Sequence, residues 1–309
     1  MVKDFLVEGG ATYTVSLVGL DGRVDATATG AKRSRPAGIY VQMPNVSASD
    51  SRVYYLDGDS KVMFLRPDGT TGPATTIPVD SNSTAVFAVS PDDTRIAVAI
   101  ITFPFPAKTR IYVENLTDGG NHIELFSSGT VIEWPVGWHQ GHLVIGVGIN
   151  VQPQNAYEGF VYAGPGYHVA DPATGTRIST VCDGYEASGP PVPAGTVCVN
   201  YPKFEVSDWS GATRPAPSGA CGGGALSPDG AEIASCQSGG VALVARNGTT
   251  ITTPYYATDL GWMDATHVVI HLVTHLDADS SLSVLDIHSM AVTPFQTHGF
   301  FAGVIPGGL

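Results

Sequence analysis

The chain has 309 residues, a formal net charge of -13, and only 14% charged residues against 43% hydrophobic ones. That balance supports a large packed core and excludes a disordered chain. The negative charge, with no basic stripe to offset it, argues against nucleic acid and anionic membrane as partners, and no apolar run approaches the ~20 residues of a membrane-spanning helix.

The start, Met1-Val2-Lys3-Asp4, lacks the apolar core of a signal peptide, so the expectation is either cytosolic synthesis or a targeting segment already removed. Three β-rich runs follow at 4–8, 12–20 and 24–29, one short of a four-stranded unit. A complete unit comes next, with runs at 39–43, 52–56, 61–65 and 71–79 separated by Asp, Gly, Ser and Pro turns. Further units span 84–127, 131–183, 184–217, 221–255 and 257–297; the unit at 184–217, crowded with Pro190, Pro191 and Pro193, is the least regular. A lone run at 300–305 ends the series.

Each unit carries an Asp or Asn turn between two extended runs, at Asp21, Asp68, Asp118, Asp171, Asp208, Asn247 and Asp286. A repeat of roughly 40 to 50 residues with several strands per unit is the signature of a propeller. The expected fold is all-β: one domain over residues 1–309, a seven-bladed β-propeller of four-stranded antiparallel blades, with six blades as the alternative count. One C-terminal strand plus three N-terminal strands would complete the seventh blade, and such closure removes open sheet edges.

Two stretches contain a tight-turn motif between first and second strands: Ser90-Pro91-Asp92-Asp93 before Thr94-Arg95-Ile96-Ala97, and Ser227-Pro228-Asp229-Gly230 before Ala231-Glu232-Ile233-Ala234. Pro fixes one dihedral and Asp or Gly tolerates the reversal. The motif resembles the Ser-Pro-Asp-Gly repeat of TolB-like and other WD40-like propellers. That resemblance implies a propeller and admits binding modules, peptidase lids and hydrolases alike.

Cys182 and Cys198, and Cys221 and Cys236, lack the tight spacing of zinc ligands, so two local disulfides are expected, with buried free thiols as the alternative. Disulfides imply an exported protein, secreted or periplasmic.

The short turns gather on one face of the disc and leave the long connections on the other, where binding sites are usually built. These are 102–109 with Phe103 and Phe105, 150–166 with Asn155 and Tyr157, and 275–281. Near the start of the innermost strands lie Glu133, Glu186 and Asp259, which could ring a channel mouth and hold calcium or another divalent cation. Such a ring is similar to that of lactonase-like and phosphotriesterase-like propellers. His275 beside Asp277 and Asp279 could bind a cation or act as an acid or base, against the plainer reading of a polar loop tip. Trp134, Tyr185, Tyr256 and Phe301 could form a binding platform with Phe103, or pack between blades.

His267, His271 and His275 share one strand face but span far more than one metal ion can bridge, so His267 reads as solvated and His271 as a buried core histidine. Gly137-Trp138 and Gly261-Trp262 read as blade packing. There is no Gly-x-Ser-x-Gly elbow, phosphate-cradling loop or His-Glu-x-x-His. Two functions remain open. One is an exported binding module, expected to be a monomer, for a protein, peptide, glycan or small molecule. The other is a hydrolase at the channel mouth.

Overall fold

The computed structural model describes residues 2–3, 11–34, 46–149, 166–183, 185–200, 202–217, 224–237, 240–245, 247–253, 257–272 and 281–309. Its strands form seven four-stranded antiparallel sheets, the blades of a seven-bladed propeller, with no helix among the described residues. Blade 1 sets Phe300–Phe301 beside Val2–Lys3, Thr12–Val18 and Val24–Ala31, the expected combination of one C-terminal and three N-terminal strands. Blades 2 to 7 follow in chain order at 46–76, 83–128, 131–181, 186–215, 225–252 and 257–294.

Local chemistry explains the repeat. In every blade the third strand ends in an Asx turn, where a side-chain oxygen accepts the amide two residues on. The pairs are Asp21 with Arg23, Asp68 with Thr70, Asp118 with Gly120, Asp171 with Ala173, Asp208 with Ser210, Asn247 with Thr249, and Asp286 with His288, at 2.8–3.1 Å. These amides are the main reason that the carboxyls of Asp68, Asp118 and Asp171 titrate below their ordinary range, and for Asp286 the Ser289 amide leads with that of His288 next. The two Ser-Pro-Asp turns are also alike. Ser90 Oγ donates to Asp92 and accepts from the Arg95 amide, as Ser227 Oγ does with Asp229 and Glu232.

Some strands lie elsewhere than the residue pattern predicts. The innermost strand of blade 2 is Val46–Ala48, fixed by the turn in which the Ser49 amide donates to Arg52 O; the run at 39–43 lies outside the described residues. The run at 4–8 also lies outside them, and the second strand of blade 1 is Val2–Lys3.

Burial is organised by joints between blades. Among the described residues seven apolar clusters form, one between each pair of neighbouring blades around the ring. The cluster between blades 3 and 4 is the largest and includes Ile101, Ile111, Trp134, Trp138 and Leu143. Cys182 and Cys198 form the expected disulfide, which ties the end of blade 4 to the second strand of blade 5. Cys221 and the side chain of Cys236 lie outside the described residues.

The Gly-Trp pairs close two joints in one way. Trp138 of blade 4 donates its indole N–H to Ala88 O of blade 3, and Trp262 of blade 7 donates to Ala225 O of blade 6. Both acceptors stand two residues before the serine of a Ser-Pro-Asp turn.

After Phe301 the chain crosses the turn face. The Gly307 amide donates to Ser49 O, Gly308 lies against Pro91, and the Leu309 amide donates to Trp138 O. The Leu309 side chain sits on Gly137, where a Cβ would fall 2.7 Å from it. Residues 302–309 thus strap the first-to-second-strand turns of blades 2, 3 and 4 to blade 1.

Candidate functional site

The loop end of the joint between blades 3 and 4 collects the most chemistry. In blade 3, residues 103–107 connect Arg95–Thr102 to Lys108–Asn115. The base of this loop is pinned by the Phe103 amide donating to Asn82 O and by a 2.9 Å bond between the Ser83 and Thr102 hydroxyls. Phe103 and Ala107 are buried in the joint with Trp134, while Phe105 packs on the cluster from its edge, its ring 5.3 Å from that of Phe103. Pro104 and Pro106 remain exposed. Phe103 is therefore an anchor, and the tip it supports is an apolar ridge of Pro104, Phe105 and Pro106.

Trp134 stands on the innermost strand of blade 4, Val131–His139, and lies over Gly146 and Gly148; a Cβ at either would come within 2.8 Å of the indole. Only glycine leaves room for the ring.

Glu133 precedes it and is only 3% exposed. Its Oε1 lies 3.2 Å from Nδ1 of His168 on the third strand, Tyr167–Ala170. The register explains the meeting: Glu133 opposes Val147, and His168 opposes Ile145, the next residue on that face of the intervening strand. Ile145 packs with blade 3 residues, so the pair occupies the side of blade 4 that meets blade 3. A buried carboxylate is costly alone, and His168 gives it a partner.

From the facing blade, Thr109 shares its strand face with Ile111 and Val113, which pack in this joint. Its hydroxyl is buried and has no hydrogen-bond partner. Two polar groups in a pair and one unsatisfied hydroxyl thus border an otherwise apolar joint beneath the loop ridge.

The other expected site residues are dispersed. Glu186 is exposed at the first position of Glu186–Val192. Asp259 lies in Ala257–Trp262, with its side chain outside the described residues. Tyr185 is half-buried at the joint of blades 4 and 5, and its amide donates to Cys182 O. Phe301 lies over Gly261 between blades 7 and 1, below the loop face, where a Cβ on Gly261 would fall 2.4 Å from its ring. Asn155, Tyr157, Tyr256, His275, Asp277 and Asp279 lie outside the described residues. Among the described residues no three His, Cys, Asp or Glu side chains converge to hold a metal ion.

His271 is half-buried mid-strand, and His267 pairs with Asp264 at 2.9 Å. Burial opposes ionisation of Asp264, but the Thr266 amide and the His267 ring more than offset it and lower its pKa. The pattern singled out neither His168 nor Thr109. The available signal was register, which places His168 beside Glu133 only once the strand partners are known.

No protein-family model matches the chain, and no curated protein matches it. Among solved structures it is similar to an oligogalacturonate lyase in complex with manganese, at 12% identity, TM-score 0.54, and coverage of 85% of this chain and 83% of that one. A chain of a mitotic checkpoint complex matches at 14% identity, TM-score 0.53, and coverage of 86% and 81%. The β-propeller domain of the Trilobed protease from Pyrococcus furiosus matches at 11% identity, TM-score 0.51, and coverage of 83% of each chain. The likeness is one of fold, and the chain is a β-propeller.

Proposed function

We propose that this chain is an exported binding module that takes a peptide segment of a protein partner on its loop face, over the joint between blades 3 and 4. The carrying observation is the ridge of Pro104, Phe105 and Pro106, anchored by buried Phe103 and Trp134. A partly exposed apolar ridge on a rigid scaffold, with a few polar groups beside it, is what peptide recognition uses. The buried Cys182–Cys198 disulfide supports folding in an oxidising compartment, secreted or periplasmic. The Ser-Pro-Asp turns support kinship with TolB-like propellers, and we take residues 1–309 as one domain that acts as a monomer.

The test is selection of a random peptide library on the wild-type protein, followed by titration of the selected peptides against Phe105→Ala. Selected peptides are expected to lose about tenfold or more in affinity, the scale of a central aromatic hot spot. Undiminished binding to Phe105→Ala sinks the reading.

A hydrolase is the second reading, favoured by the contact of Glu133 with His168 Nδ1, a carboxylate orienting an imidazole. The lactonase-like and phosphotriesterase-like resemblance adds a divalent cation near Glu133, Glu186 and Asp259, with His275 as base. Lactone and phosphotriester turnover that a chelator abolishes, together with a stoichiometric metal, would establish that reading over the binding module.

A further inference from the structure

A cavity lies on the turn face, the side opposite the loop ridge. It has a volume of about 460 Å³, within the range that small-molecule sites occupy. Blade 1 supplies Leu17, Leu20 and Asp25, blade 7 supplies Met263 and Asp264, and the strap closes it with Ile305 and its neighbours. The wall therefore exists only because the chain returns across this face after Phe301.

The lining is apolar apart from two carboxylates, and no cationic side chain contributes to it. Asp264 is engaged by Thr266 and His267. Asp25 is exposed and has no hydrogen-bond or ion-pair partner among the described residues. Leu20, at the rim, is 44% exposed, one of three large hydrophobic side chains so presented among the described residues. An apolar chamber with an uncommitted carboxylate at its mouth complements one kind of molecule: a hydrocarbon body ending in a positive charge. An anionic head would face two carboxylates on a chain of net charge -13.

We propose that this turn-face cavity is a binding site for a small aliphatic ammonium compound, with its hydrocarbon chain among Leu17, Met263 and Ile305 and its ammonium group at Asp25. Neither the loop-face reading nor the hydrolase reading uses these residues, so this site stands or falls independently of both.

The experiment is a methyl-NMR titration of the full chain, observing Leu20, Met263 and Ile305. The probes are butyl-, hexyl- and octylammonium, with hexanol and hexanoate as controls. Hexylammonium is expected to shift these methyls saturably, and affinity should rise about fourfold per added methylene, the gain from burying one CH₂. Asp25→Asn should weaken hexylammonium about three- to fivefold, as loss of an exposed charge partner does, and leave hexanol unchanged. Val304→Trp, which fills the cavity from the strap, should abolish binding; if that variant misfolds, Leu20→Ser provides the same test from the rim. The proposal is overturned if hexanoate binds as well as hexylammonium, if affinity ignores chain length, or if the perturbed methyls are scattered over the surface.

Discussion

The joint between blades 3 and 4 and the joint between blades 6 and 7 are built from one plan. Each has a Ser-Pro-Asp turn in the first blade and a Gly-Trp pair in the second, and each is bolted by an indole N–H on the carbonyl two residues before the serine. They part company at the residue that opens the second strand. Arg95 stacks over Trp138 at 4.7 Å, whereas Glu232 takes the matching position and leaves Oε2 buried without a partner. They also differ in what fills the space left by glycine: Leu309 of the strap over Gly137, and the Phe301 ring over Gly261. The bolt is the constant, and the flanking charge and the filler vary around it.

The largest test removes the bolt. Trp138→Ala and Trp262→Ala should each cost about 3–5 kcal/mol, the range for truncating a buried aromatic, read from urea midpoints. Similar losses at the two sites would support a shared plan. A loss below about 1 kcal/mol at Trp262 would show that only the first joint depends on it. Next comes the filler. Gly261→Ala should cost about 2 kcal/mol because Phe301 is held within an innermost strand, and Gly137→Ala about 1 kcal/mol because Leu309 lies on a strap that can yield. The reverse order would mean that the strap is the stiffer element. Trp138→Phe and Trp262→Phe keep most of the ring but lose the indole hydrogen bond, and should cost roughly 1 kcal/mol each.

How far these features could be read from residues alone follows their range along the chain. The seven turns were legible because an Asx turn is made by one side chain and an amide two positions on. The closure of blade 1 followed from counting strands. The first strand of blade 2 was not legible: residues 39–43 are richer in β-formers than Val46–Ala48, yet the tight turn at Ser49 decides the register with Val53. The Glu133–His168 pair was hidden because its partners are joined through an intervening strand and the long segment 150–165. The path of residues 302–309 was hidden for the same reason, since it depends on carbonyls of Ser49 and Trp138, in two different blades. Local hydrogen bonds declare themselves in sequence; contacts between blades do not.

The smallest prediction concerns the charge that separates the two joints. Burial, reinforced by Asp229, raises the pKa of Glu232, and His288 only partly opposes it. A carboxyl whose pKa is higher folded than unfolded holds its proton more tightly in the native state. Its contribution to stability is therefore full below the unfolded value, near 4.3, and is lost as pH rises through the folded value. Solvent screening at this half-buried site limits the effect to roughly 0.5 kcal/mol. Glu232→Gln, which cannot ionise, should match the wild type at pH 4 and exceed it slightly at pH 7, as measured by the urea midpoint at each pH. A variant less stable than wild type at pH 7 would mean that the carboxylate has a partner there, and that the second joint answers its missing arginine in another way.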